Sequence, residues 1–194
     1  MELTLLDSSY INRIEPNTEF FIEEKNSQGN GQGKSIFRCH NEILLIKTRD
    51  NVTKVWCLAN KKCAEAAFII FESNSTLTLN IVEMKSKLTK SEFEKVISQF
   101  EGMYLSSIAV MAILKLGYPH QVKTFIAYKE ESLSQPYNED RPYSLNKTLI
   151  GRKDDILDMW KNEKIKLPHN VSASLVKGKR TENNGSHDYD FGFI

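Results

Sequence analysis

The chain has 194 residues, 40% of them hydrophobic, enough for one well-buried core and a small appendage at most. With 26% charged residues and a formal net charge of +1, it lacks the global electrostatic signature of a nucleic-acid or membrane binder, so such a role must rest on a local patch. Three cysteines (Cys39, Cys57, Cys63) without a Cys-x-x-Cys pair argue against a disulfide framework, and no basic start with an apolar run marks a secretion signal or membrane span. The expectation is a soluble cytoplasmic protein.

Charge is unevenly spread along the chain. The first 25 residues hold six acids against two bases, whereas residues 151–180 hold eight bases against four acids. In chain order, Glu19-Phe-Phe-Ile-Glu23 reads as a strand before a glycine-bearing loop from Asn26 to Ser35, which predicts a hairpin. Glu42 to Thr48 and Lys54 to Leu58 read as two paired strands joined by a tight turn at Arg49-Asp-Asn51. Ala66 to Phe71 is an uninterrupted apolar run expected in a central strand covered on both faces, and Leu77 to Val82 is an alternating, β-branched strand.

Thr89-Lys-Ser-Glu92 is a capping box that opens the longest helix, with Phe93, Val96, Ile97, Phe100, Tyr104, Ile108, Met111 and Leu114 at helical spacing. Gly117 and Pro119 supply its stop, and Gly102 is a candidate bend. Gln121 to Tyr128 is a further strand, so the local order is strand, strand, helix, strand. Ser132 to Arg141 reads as a loop, and a short helix near Arg152 to Asn162 should bury Ile156, Met159 and Trp160. The expected organisation is a single α/β domain over residues 1–176, with its core at about 40–130, followed by a flexible C-terminal tail over 177–194.

The chemistry-bearing residues cluster in the middle of the chain. Hydrolysis of a phosphodiester with a divalent metal needs carboxylates for a hard cation, a group that orients water, and positive charge near phosphorus. Glu65 precedes one strand and Glu83 ends the next, 18 positions later, so a hairpin brings both carboxylates to one sheet edge. Lys85, two residues on, shares a face with Glu83, and the Met84 carbonyl is a natural further ligand. The alternative for Glu83 and Lys85 is an exposed ion pair at a sheet edge, which contributes little. Lys87, Lys90 and Lys95 lie close enough in sequence to contact phosphates; their alternative is a solvated helix face.

Cys63-Ala-Glu65-Ala-Ala-Phe-Ile-Ile-Phe71, followed by Asn80-Ile-Val-Glu83-Met-Lys85-Ser and a capped helix, resembles the PD-(D/E)XK nuclease superfamily over residues 65–128. The resemblance implies a restriction-endonuclease-like mixed β-sheet core with a long crossover helix after the Glu-x-Lys strand. It also implies a Mg²⁺- or Mn²⁺-dependent endonuclease acting on DNA or RNA, plausible in bacterial defence, with Glu65, Glu83 and Lys85 as its site. Glu42, heading an upstream strand, is the candidate for an additional carboxylate of the kind some members use. Position 65 carries Glu where Asp is commonest. A catalytically degenerate interaction or regulatory subunit is therefore the alternative, as a homodimer or with a protein partner docked by a tail bearing Tyr189, Phe191, Phe193 and Ile194.

Three other signals are weaker. Glu23-Glu-Lys25 also fits Glu-x-Lys, but it runs into a glycine-rich loop and has no acid-headed strand before it. Gly29-Asn-Gly-Gln-Gly-Lys-Ser35 falls short of a P-loop, because Gln28 stands where its first glycine is needed and strand-like sequence follows. The cysteines and His40 lack the close pairing of a structural zinc site, and no serine or cysteine nucleophile signature accompanies the histidines.

Overall fold

The structure, a computed structural model, describes residues 3–24, 33–48, 52–53, 55, 57–133, 154–183 and 186–194. Its described residues form a mixed α/β architecture of two mixed sheets and two α-helices. The larger sheet has seven strands in the order β1 (Ile11–Ile14), β4 (Ile43–Lys47), β5 (Ala66–Phe71), β6 (Leu77–Leu88), β7 (Gln121–Glu131), β9 (Val171–Lys179) and β8 (Lys164–Leu167). The smaller one orders β10 (Thr181–Asn183), β11 (Ser186–Phe193), β3 (Lys34–Cys39) and β2 (Thr18–Glu23). Helix α1 (Lys90–Ile113) connects β6 to β7, and α2 (Asp155–Lys161) precedes β8.

Side-chain alternation explains how one sheet serves two cores. In β5, Ala67 and Ile69 join α1 and α2 in one cluster, whereas Ala66, Phe68 and Ile70 face the smaller sheet in another. In β6, Leu79 and Ile81 face the helices, while Val82 and Met84 face the small sheet. Strands β5 and β6 pair antiparallel, and β6 and β7 pair parallel, as a crossover through α1 requires.

Thr89 caps α1 as expected, its hydroxyl accepting from the Glu92 amide at 3.3 Å. The helix ends before Gly117 because Lys115 takes the left-handed conformation at φ 56° and the Leu116 amide donates back to the Met111 carbonyl, a Schellman closure. Gly102 does not divide the helix. A Cβ there would lie 1.8 Å from the Lys62 carbonyl oxygen, so this glycine lets the 60–63 segment cross directly against α1. By length and apolar composition α1 is sufficient to cross a membrane, contrary to the expectation that no segment is; half of that stretch is buried against the rest of the chain.

Other expectations need correction. No strand forms among the described residues of 54–58; β4 pairs instead with β1 and β5, and Val52 makes a lone bridge to Lys62. The apolar and turn signals there do not form a ladder because β5 and β1 occupy both edges of β4. The turn at 49–51, most of the loops at 26–35 and 132–141, and the start of the 152–162 helix lie outside the described residues.

The tail over 177–194 is not a flexible appendage. It completes β9 and returns as β10 and β11, with β11 parallel to β3. Phe191 stacks on Phe37 at 5.0 Å and meets Phe125 edge-on at 5.1 Å. Tyr189 lies so close over Gly178 that a Cβ there would come 2.4 Å from its ring. The apolar end expected to dock on a partner thus packs within its own chain, although Phe193 remains 63% exposed.

Candidate active site

The β5–β6 register decides which acids meet. The ladder ends with Ala66 opposite Val82, so Glu65 falls directly across from Glu83 by continuation, with both on the helix-facing side of the sheet. Glu65 is held in line where Thr48 donates to its carbonyl from the backbone amide at 3.4 Å and from the hydroxyl at 3.1 Å. Beyond Val82, β6 continues six residues paired with β7 alone. Glu83 and Lys85 therefore stand within a long strand that outruns its neighbour, not at a strand end as expected.

Glu83 is fully buried, which rules out the exposed edge pair as its explanation. Lys85 Nζ lies 2.8 Å from Glu83 Oε1 as an ion pair, and no other donor reaches either carboxylate oxygen among the described residues, so Oε2 is left without a partner. Burial pushes the Glu83 carboxyl up to about 8; the Lys85 ammonium opposes the shift and the neighbouring Glu65 charge adds to it. A fully buried carboxylate with one ammonium as partner and a second carboxylate across from it is costly, which favours a bound proton or a further cation.

The donor set fits a divalent metal by that test: Glu83 Oε2 has no partner among the described residues, and Glu65 falls directly across the ladder from Glu83. Glu65 and Glu83 would hold it. The Met84 side chain points to the opposite face, among the small-sheet cluster, so Met84 has only its backbone carbonyl to offer. Among the described residues there is no group of three or more His, Cys, Asp or Glu side chains able to share an ion.

Glu42 is not brought to this pair. Its carbonyl accepts from the Phe71 amide, at the end of β5 remote from Glu65, six residues along the strand or roughly 20 Å at about 3.3 Å per residue. There it forms an ion pair with Arg13. Two of the proposed phosphate-contacting lysines are also committed elsewhere: Lys90 binds Asp154 at 2.6 Å, tying α1 to the cap of α2, and Lys95 binds Glu92 one turn back. Lys87 is exposed on β6.

Two contributors were not anticipated from sequence. Gln99, on the buried side of α1, donates to the Cys63 carbonyl at 3.4 Å, while its own Oε1 is buried without a partner. A polar residue among Val96, Phe100 and Met103 is the signal that marks it. The second is Glu24, which directly follows β2 and ion-pairs with buried Arg180 at 2.6 Å; its charge also reaches Glu83 and raises the carboxyl further. The competing Glu23-Glu-Lys25 copy is thereby explained: Glu23 makes an exposed pair with Lys34, Glu24 turns to Arg180, and Lys25 lies outside the described residues. Cys63 is a buried thiol shifted upward by burial and, to a smaller extent, by Glu83. Comparison with protein-family models, curated proteins and solved structures finds no match.

Proposed function

We propose that the chain is a nuclease of PD-(D/E)XK type that hydrolyses phosphodiester bonds with Mg²⁺ or Mn²⁺ held by Glu65 and Glu83 and the Met84 carbonyl. The observation that carries this reading is the Glu83 carboxylate, fully buried, with Lys85 on one oxygen, no partner on the other among the described residues, and Glu65 directly across from it. The antiparallel β5–β6 pair, crossover helix and parallel β7 support the same reading of the fold.

A divalent ion bound there supplies Lewis-acid polarisation of the phosphodiester. Lys85 does the rest of the positioning: its ammonium, within reach of Glu83 and 20% exposed, orients an attacking water and offsets negative charge gathering at phosphorus. Burial of Glu83 strengthens these electrostatic interactions by keeping bulk water from the carboxylate.

The alternative of a non-catalytic subunit drew on the apolar C-terminus as a docking segment, and Tyr189, Phe191 and Ile194 are already used against the small-sheet core. Cleavage of single- and double-stranded DNA and RNA with Mg²⁺ or Mn²⁺, by the parent and by Glu83→Gln, tests the proposal. The parent should cut and Glu83→Gln should not; equal cleavage by both would remove Glu83 from the chemistry.

A further inference from the structure

The strand register extends the site sideways across the sheet. Lys85 on β6 is aligned with Tyr128 on β7, and Tyr128 with Lys179 on β9. The row before it aligns Glu83, Ile126 and Lys177. All six side chains lie on the helix-facing side: Ile126, Tyr128 and Leu175 pack with the helical core, and Lys177 Nζ sits 4.2 Å over the Trp160 ring. With strands about 4.8 Å apart, Lys179 stands roughly 10 Å from Lys85 across the sheet.

The two β9 lysines are in different situations. Lys177 is braced between Trp160 and Glu163, the latter at 3.2 Å, and spends its charge there. Lys179, two residues on and same-facing, is exposed at the end of β9, and no ion pair engages it among the described residues. Between Lys85 and Lys179 the half-buried Tyr128 ring forms an apolar floor, held edge-on to Trp160 at 5.8 Å. A cationic group at each end of a flat aromatic step, opening from a buried carboxylate pair, complements a strand with regularly spaced negative charges.

We infer that the Lys85–Tyr128–Lys179 row is the track along which the phosphodiester backbone of a nucleic acid approaches Glu65 and Glu83, with Lys179 as a substrate-positioning residue. The inference rests on the nuclease reading and adds the direction from which the substrate enters. Other lysines nearby lie off the track: Lys164 and Lys166 alternate with buried Ile165 and Leu167 and so project from the opposite face of the sheet.

That opposite pair is the internal control. Binding of labelled single- and double-stranded oligonucleotides to the full chain, without divalent metal so that no cleavage occurs, is measured by anisotropy over about 50 to 200 mM salt. Lys179→Ala should bind several-fold more weakly at low salt, with a slope of log affinity against log salt shallower by about one, whereas Lys166→Ala should match the parent. With metal restored, Lys179→Ala should raise KM and leave kcat near parental. If the parent binds and Lys179→Ala shows the same affinity and slope, or if Lys166→Ala loses as much, the track is wrong while the nuclease reading stands. If the parent binds neither form and cuts neither, both fall together.

Discussion

Two glutamates within Glu-x-Lys stretches, the middle residue of Glu23-Glu-Lys25 and the first of Glu83-Met-Lys85, have opposite fates. Glu24 is 9% exposed and meets the fully buried Arg180 guanidinium at 2.6 Å, joining the end of β2 in the small sheet to the end of β9 in the large one. Glu83 is fully buried, and its lysine meets one oxygen while the other has no partner among the described residues. The first arrangement spans two sheets and serves to hold them in register. On the proposed nuclease reading, the second holds a carboxyl group as a metal ligand at a cost in stability. Position in the sheet creates the difference: Glu24 lies where a second layer brings an arginine to it, and Glu83 lies where β6 outruns β5.

The comparison breaks most sharply in activity. Glu83→Gln keeps the shape of the side chain and removes its charge, and metal-dependent cleavage should fall by at least about a thousandfold, near the loss of several kcal/mol of transition-state stabilisation. Gel-based cleavage assays read this directly. The largest effect on stability should come from the other glutamate. Arg180→Ala removes the buried guanidinium that meets Glu24 between the two sheets, and should cost about 3–5 kcal/mol in urea unfolding. A loss below about 1 kcal/mol would mean that the Glu24–Arg180 pair does not hold the sheets together.

The pH dependence sharpens the contrast. The Glu83 carboxyl titrates near 8 in the folded chain and near 4.5 when unfolded, so the native state binds the extra proton between these values. Stability without metal should therefore fall as pH rises from about 4.5 to about 8, by a few kcal/mol at most, and Glu83→Gln should flatten that slope in unfolding measured across the range. A parental slope that survives in Glu83→Gln would assign the effect to another group. The smallest effect is expected at Glu42: Glu42→Ala removes a partly exposed pair with Arg13, should cost no more than about 1 kcal/mol, and should leave cleavage unchanged.

Much of this was legible in the sequence where local signals agree with long-range demands. The uninterrupted run 66–71, the alternating run leading to Glu83, the Thr89 cap and the following strand each carry one period and one boundary, and the chain forms them in that order. The Glu65–Glu83 pairing was readable because a short hairpin fixes it. The 54–58 run was misleading because a strand-like composition cannot say which edges are free, and β1 and β5 had already taken both edges of β4. The C-terminus was misread for a related reason. Residues 178–187 are polar, yet β11 gains its place from long-range partners, with Phe191 meeting Phe37 and Phe125 and Arg38 binding Asp190 at 2.7 Å. Glu42 has the right residue type at a strand start, but an antiparallel partner puts it at the wrong end of the sheet. The row through Lys179 is invisible without the register of three strands.

On the proposed nuclease reading, Glu83 is kept buried in order to bind a divalent ion. The most direct test is calorimetric titration of Mn²⁺ into the parent and into Glu83→Gln at pH 7, repeated in buffers of different ionisation enthalpy. The parent should bind the ion and release close to one proton per site, because a carboxyl that titrates near 8 must lose its proton to become a ligand, and Glu83→Gln should do neither. Binding of equal strength by both proteins, or binding by the parent without proton release, would contradict the account.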